Sequence, residues 1–150
     1  MTSKAFVQVE LNAGLEFVHH LYARFPGRIP VPVGGGMKGV VYPLVMYDGP
    51  EALGCIGCAW HDGLRDNEVQ VYHFSAFLPG RGHGTRMMEQ VCKLADQFGV
   101  ALTLMPQPRW TESGEPLDEV ALRQWYRKFD FTGLGYMTRV AQPILRENAS

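Results

Sequence analysis

Apolar positions along the chain change period several times, and each change marks an element. Leu15, Val18, Leu21, Tyr22 and Phe25 recur at helical spacing, with Asn12 placed to cap the helix they predict. A short β-prone run at 5–10 precedes it. PGRIPVPVGGGMKG (26–39) then carries three prolines and five glycines, which allow neither a helix nor a central strand, so a long surface loop is predicted. Residues 40–49 and 52–60 read as a strand pair turning at Asp48, Gly49 and Pro50. A second turn, HDGLRDN, leads to a strand over 68–77. Met87, Met88, Val91, Cys92, Leu94, Ala95 and Phe98 define the apolar face of a helix, with Arg86, Glu89, Gln90, Lys93, Asp96 and Gln97 opposite and Gly99 as its stop. A continuous apolar run, 100–105, has the character of a strand in a parallel sheet. Pro116 suits the first turn of a helix over 117–129, and 131–140 reads as a last strand before a loose tail from about 142. The predicted order is β-α-β-β-β-α-β-α-β, a mixed α/β layout in one domain.

Composition narrows the picture by exclusion. A chain of 150 residues with 46% hydrophobic and 19% charged residues suits one globular domain with a full core. Fourteen Lys and Arg against fifteen Asp and Glu give a net charge of -1, which offers no general attraction to nucleic acid or an anionic membrane. No apolar run approaches the roughly 18 residues of a membrane span, and MTSKAFVQVE lacks the apolar centre of a secretory signal. Three cysteines argue against a disulfide framework, and a reducing cytoplasm fits best. Cys55 and Cys58 form a single C-x-x-C without a second ligand pair, so they read as small core residues, as does Cys92. No metal site is expected. In the pair His19 and His20, one ring is expected to face solvent and the other to pack.

The chemistry concentrates in PGRGHGTR (79–86), between a predicted strand and a predicted helix. Unpaired amides and a positive dipole make a helix N-terminus an anion site, and glycines let backbone approach a pyrophosphate. The stretch lacks the Lys-Ser/Thr of a phosphate-binding P-loop, and Thr85 stands where a dinucleotide fingerprint needs its last glycine. The remainder of a kinase apparatus is missing too.

The stretch does resemble the coenzyme A loop of the GNAT acetyltransferases, Q/R-x-x-G-x-G/A, which opens a helix after the fourth strand. Here it falls on Pro79, Gly80, Arg81, Gly82, His83 and Gly84, with Pro79 in place of Gln or Arg. Some forty residues on, LRQWYRKFDF (122–131) is similar to that family's A-x-x-F-Y-x-K-x-G-F segment, with Trp125 for Phe and Asp130 for Gly. The resemblance covers roughly residues 40–140, and the layout is also similar to small acetyltransferases found in phage genomes. It implies a mixed, mostly antiparallel sheet flanked by helices, with a splay between the fourth and fifth strands.

The same resemblance implies an N-acetyltransferase using acetyl-coenzyme A, without a metal, to acetylate a primary amine on a small molecule or a protein. A homodimer is compatible with it. Backbone near His73 and Phe74 would pair with the pantetheine arm. Amides from Gly80 to Thr85, the Arg81 charge and the Thr85 hydroxyl would hold the pyrophosphate, His83 and Gly84 lying inside that stretch. Tyr126 matches the family tyrosine near the coenzyme sulfur, a candidate acid, although its pattern also suits a core aromatic beside Trp125 and Phe129.

An amine of Lys-like pKa ~10.4 is less than about 0.1% neutral at pH 7, so a route for its proton is needed. Glu68 lies fourteen residues before Gly82, the offset of the catalytic glutamate in histone-acetylating relatives; it also suits a solvated strand end. His73 and His61 are the other candidate bases. Strict alternation would put His73 on the strand face opposite Glu68, Tyr72 and Phe74. In the loop at 26–39, Arg28 and Lys38 would attract an acidic acceptor or simply keep the loop soluble, and Arg109 and Trp110 in PQPRWTESGEP are a candidate acceptor wall. Pro79, Asp130 and the absence of the family's Asn before its last helix leave a non-catalytic GNAT-fold binding or regulatory protein as the alternative.

Overall fold

The structure is a computed structural model that describes residues 12–33, 39–78, 80–106 and 118–144. The strand expected at 5–10, and Lys38, Pro79, Arg109, Trp110 and Pro116, lie outside the described residues.

Helix α1 runs Ala13–Arg24, and the Asn12 side chain accepts the Leu15 N–H at 2.8 Å, as its position predicts. Phe17 and Leu21 are buried on its inner face. The proline-rich segment departs from a plain loop: β1 (Val31–Pro32) pairs antiparallel with β2 (Val40–Val41) in a small ribbon of its own. The single strand expected over 40–49 is therefore divided. Pro43 brings no N–H to a ladder, and only β3 (Leu44–Asp48) joins the main sheet.

The main sheet continues through β4 (Glu51–Ala59), β5 (Glu68–Ala76), β6 (Ala101–Leu104) and β7 (Met137–Arg139), in the order β3-β4-β5-β6-β7. Only the β5–β6 pairing is parallel, and it is connected through helix α2 (His83–Phe98). The buried face of α2 carries the predicted methionines, Val91, Cys92, Leu94 and Ala95, and Gly99 ends the helix at φ 68°. This mixed, mostly antiparallel sheet, with three flanking helices among the described residues, is the layout the GNAT resemblance implies. The splay is present as well. β5 pairs with β6 only from Glu68 to Gln70, then runs on to Ala76 without it.

The last two elements are shorter than their sequence patterns. Helix α3 spans Glu119–Arg127 and not 117–129, because Asp118 caps it by accepting the Val120 N–H at 3.0 Å. Its C-terminal limit comes from Asp130, the described non-glycine residue with positive φ, at 71°. This is the position where the resembling segment carries glycine, and Asp is one of the few other residues that tolerates the left-handed region. Asp130→Gly is therefore expected to raise stability by about 0.5–1 kcal/mol, read as a higher denaturant midpoint with an unchanged slope. Beyond it, Thr132 and Thr138 exchange backbone hydrogen bonds of 3.0 and 2.8 Å, so 131–140 folds back on itself and leaves only three residues to β7.

One core joins these parts. Phe17, Leu21, Leu44, Met46, Ile56, Val69, Met87, Met88, Leu102, Phe131 and Met137 are fully buried in it. At its edge, Arg139 from β7 donates to both carboxylate oxygens of Asp96 on α2, at 2.8 and 3.0 Å, and to the Phe129 carbonyl at 2.9 Å. Gln142, where a loose tail was expected, donates its N–H to Asp96 Oδ1 at 2.8 Å. Among the described residues no helix is long and apolar enough to cross a membrane.

Candidate active site

The local cause of the site is a bulge in β5. Cys58 pairs with Val71 and Gly57 with His73, so Tyr72 is one residue too many for its partner strand. The Tyr72 ring takes the space above Gly57, where a Cβ would lie 2.3 Å from it. His73 consequently shares the face of Tyr72, while Phe74 pairs with buried Ile56 and turns toward the helices. This corrects the alternation expected from sequence: His73 is on the Glu68 side and Phe74 is not. A bulge shifts the period by one residue, and nothing in EVQVYHFSAF announces it.

Where β5 leaves β6, a cavity of about 160 Å³ opens. His73 and Phe74 of β5, Leu104 of β6, Met105, Tyr126 of α3 and Tyr136 line it, together with Gln70, Val71 and Tyr72. Tyr126 is 7% exposed and packs edge-on against Trp125 and Phe131, with ring centroids 5.1 and 5.6 Å away. Its core role and its place at the cavity are therefore compatible. The two sequence motifs also meet. A Cβ on Gly84 would lie 3.7 Å from the Trp125 ring and 3.8 Å from the Phe74 ring.

The glycine turn enters α2 with Gly80 at φ 78° and Gly82 at φ 76°, in open space. Gly82 is the N-cap and has no side chain to offer, and the first backbone bond into the helix is from Arg86 N to Gly82 O, 3.0 Å. The amides of His83, Gly84 and Thr85 thus precede the intrahelical ladder. Arg81 and Thr85 are exposed beside them. The His83 imidazole turns inward instead: it is 3% exposed, its Nε2 lies 3.2 Å from Glu51 Oε2, and its Nδ1 is buried with no hydrogen-bond partner among the described residues. Only the His83 backbone remains for the turn.

Glu51 belongs to a cluster that sequence reasoning missed. Arg86 bonds Asp48 and Glu51, the latter at 3.0 Å, pinning the first turns of α2 to the β3–β4 hairpin. Arg86 and then His83 hold the Glu51 carboxyl below the ordinary carboxylate range, and the two carboxylates hold Arg86 above its own. The partners lie some 35 residues apart in the chain, so no local pattern connects them.

Other sequence candidates fall elsewhere. Glu68 opens β5, accepts the Arg65 N–H at 3.1 Å and does not line the cavity. His61 accepts the Gly63 N–H at 3.1 Å on Nδ1 and meets Gln70 Oε1 at 3.1 Å through Nε2. Arg28 spends its guanidinium on the carbonyls of Tyr22, Phe25 and Gly27 and stacks 4.7 Å over the Tyr22 ring, which ties the loop to α1. His20 packs on Phe98 with ring centroids 5.3 Å apart. Burial pushes the Cys58 thiol up to about 12 and the Cys92 thiol to about 11, so neither supplies a thiolate at neutral pH. The larger groove, about 480 Å³ between α1, the β3–β4 hairpin and α2, is walled by solvated charges such as Arg24, Asp48, Glu89 and Lys93 and holds none of the predicted site residues.

No protein-family model matches the chain, and no curated protein matches it in sequence. Several solved structures are similar in chain path, three of them as follows. Tetrahymena GCN5 is 15% identical with a TM-score of 0.48, covering 69% of this chain and 70% of its own. The anti-CRISPR protein AcrVA5 is 15% identical with a TM-score of 0.45, covering 75% of this chain and 97% of its own. An acyl-CoA N-acyltransferase from Pseudomonas aeruginosa is 14% identical with a TM-score of 0.45, covering 68% of this chain and 70% of its own.

Proposed function

We propose that this protein is an acetyl-coenzyme A-dependent N-acetyltransferase that transfers the acetyl group directly to a primary amine. The observation that carries the reading is the cavity in the β5–β6 splay, where Tyr126 from one motif stands beside the strand that leads into the glycine turn of the other. The residues present fit an elongated anionic coenzyme. Gly80 and Gly82 leave open space over the first amides of α2, and β5 beyond Gln70 has a backbone edge that β6 does not take. Acetyl-coenzyme A, when bound, supplies the activated acyl group as a thioester.

The chain's own residues then divide the work. Amides from Gly80 to Thr85, with Arg81 and the Thr85 hydroxyl, bind the diphosphate. Backbone at His73 and Phe74 orients the arm along β5. Tyr126 holds a phenolic proton inside the cavity for the departing thiolate. The bulge puts His73 on the Glu68 side of β5, and His73 lines the cavity where Glu68 does not, so His73 is the acceptor assigned to the amine's proton. Asp130, one motive for a non-catalytic reading, is accounted for by its left-handed backbone.

Release of free thiol from acetyl-coenzyme A, measured against a panel of primary amines, tests the activity. Amine-dependent release matched by acetylated product is expected. A protein that binds the coenzyme yet releases thiol at the amine-free rate with every amine is a binding protein and not a transferase.

A further inference from the structure

Helix α2 begins without the side-chain cap that Asn12 and Asp118 give the other two described helices: Gly82 caps it, and its first turn carries no acidic residue. A helix start of this kind frays unless something outside the helix holds it. Gly80 and Gly82, both at positive φ in open space, add no restraint of their own. The restraint comes from β4. One carboxylate oxygen of Glu51 lies 3.2 Å from His83 Nε2, and the other accepts from Arg86 at 3.0 Å. His83 is the first residue of α2 and Arg86 lies three positions on, so one carboxylate spans the first turn.

Both ends of this contact are fixed. Asp48 and Glu51 face each other across a hairpin turn closed by Gly49, at φ 60°, and Pro50, and Asp48 accepts a further hydrogen bond from Arg86. On the helix side the His83 ring is 3% exposed, and its Nδ1 has no hydrogen-bond partner among the described residues. Glu51 is therefore the polar tether of that ring. Glu51 spends its two oxygens on side chains, and the amides of His83, Gly84 and Thr85, which precede the first intrahelical bond, are left to a ligand.

We infer that Glu51 is a positioning residue for coenzyme binding: through His83 and Arg86 it keeps those amides converged where the diphosphate sits. This role rests on the coenzyme reading of the glycine turn, and charge alone would give Glu51 the reverse one. By Coulomb's law an anionic ligand at the start of α2 gains when a nearby carboxylate is removed. By positioning it loses. Without Glu51 the turn has to be ordered at the moment of binding, and fixing about one residue's backbone corresponds to about a tenfold weaker affinity. The sign of the change therefore separates the two roles.

Calorimetric titration with coenzyme A on the native protein, Glu51→Ala and Asp48→Asn reads that sign. The Glu51 side chain is half-exposed, so its removal is expected to leave a folded protein, which a melting curve checks. Glu51→Ala should weaken coenzyme A binding about tenfold although it removes a negative charge. Asp48→Asn removes a charge from the same hairpin but keeps the His83 contact, and should stay within about twofold of the native affinity. In the free protein, nitrogen-15 relaxation should find the His83, Gly84 and Thr85 amides rigid, with order parameters of about 0.85, and below about 0.6 in Glu51→Ala, with α2 beyond Arg86 unchanged. Binding that holds or tightens in Glu51→Ala, amides that stay rigid, an equal loss in Asp48→Asn or a collapse of the melting temperature would each overturn the inference. A native protein that binds no coenzyme A at millimolar concentration overturns the coenzyme reading with it, whereas native binding that ignores Glu51 overturns this inference alone.

Discussion

Tyr126→Phe is expected to lower kcat by about 100-fold while leaving the fold and the coenzyme affinity nearly unchanged. The ring is what the core uses. It is buried between Trp125 and Phe131 and keeps both contacts as phenylalanine. The hydroxyl is what the proposed chemistry uses, as the proton source for a departing thiolate. General acid catalysis contributes typically 10²–10⁴-fold, and the low end applies because a thiolate is a tolerable leaving group without full protonation. A 100-fold loss is about 2.7 kcal/mol of transition-state stabilisation. Steady-state kinetics with a melting curve on the same sample read both sides of the prediction. An unchanged kcat would remove Tyr126 from the mechanism and return it to the core; a large fall in melting temperature would mean that the hydroxyl is structural.

Asp96→Asn should cost about 3 kcal/mol of stability at neutral pH, a fall of roughly 6–12 °C in melting temperature for a chain of this size. Arg139 is 5% exposed, and the substitution leaves its charge inside the protein facing an amide. Asn also has one oxygen where the carboxylate uses both on Arg139 and shares one with the Gln142 N–H. Burial alone would raise the Asp96 pKa, but the hydrogen bonds from Arg139 and Gln142 outweigh it and hold the carboxyl below its ordinary value. The sign follows from that direction. A depressed folded-state value contributes stability above the unfolded range, and the contribution is lost as pH falls through the depressed value. The gap between the native protein and Asp96→Asn should therefore be widest near neutrality and narrow below about pH 4. Urea titrations at several pH values measure it; a gap that stays constant into acid would mean that the carboxylate charge is not what is lost.

The sequence disclosed those parts of the fold that depend on local periodicity. Helix α2 is legible residue by residue because a 3.6-residue repeat of Met, Val, Leu and Ala runs between two glycine punctuations. The cap at Asn12 is legible for the same local reason. What stayed hidden was decided by partners far along the chain. Pro43 divides a strand that hydrophobicity alone would keep whole, and β1 exists only because β2 lies beside it. At the site, the glycine turn was readable from its place between a strand and a helix and Tyr126 from the family resemblance alone, but their meeting through Gly84, Trp125 and Phe74 required the fold. The bulge at Tyr72 reversed the facing of His73 and Phe74, and the Arg86 cluster and the Tyr22–Cys58 contact join residues dozens of positions apart. Asp130 shows the converse: a departure from a motif that looks chemical in sequence is a backbone matter in the structure.

Calorimetric titration of the folded protein with acetyl-coenzyme A tests the central claim most directly. The glycine turn at the start of α2 and the open edge of β5 predict saturable one-to-one binding with a Kd below about 1 mM, the range in which such co-substrates work. The absence of any binding heat or protection against melting at millimolar coenzyme would contradict it.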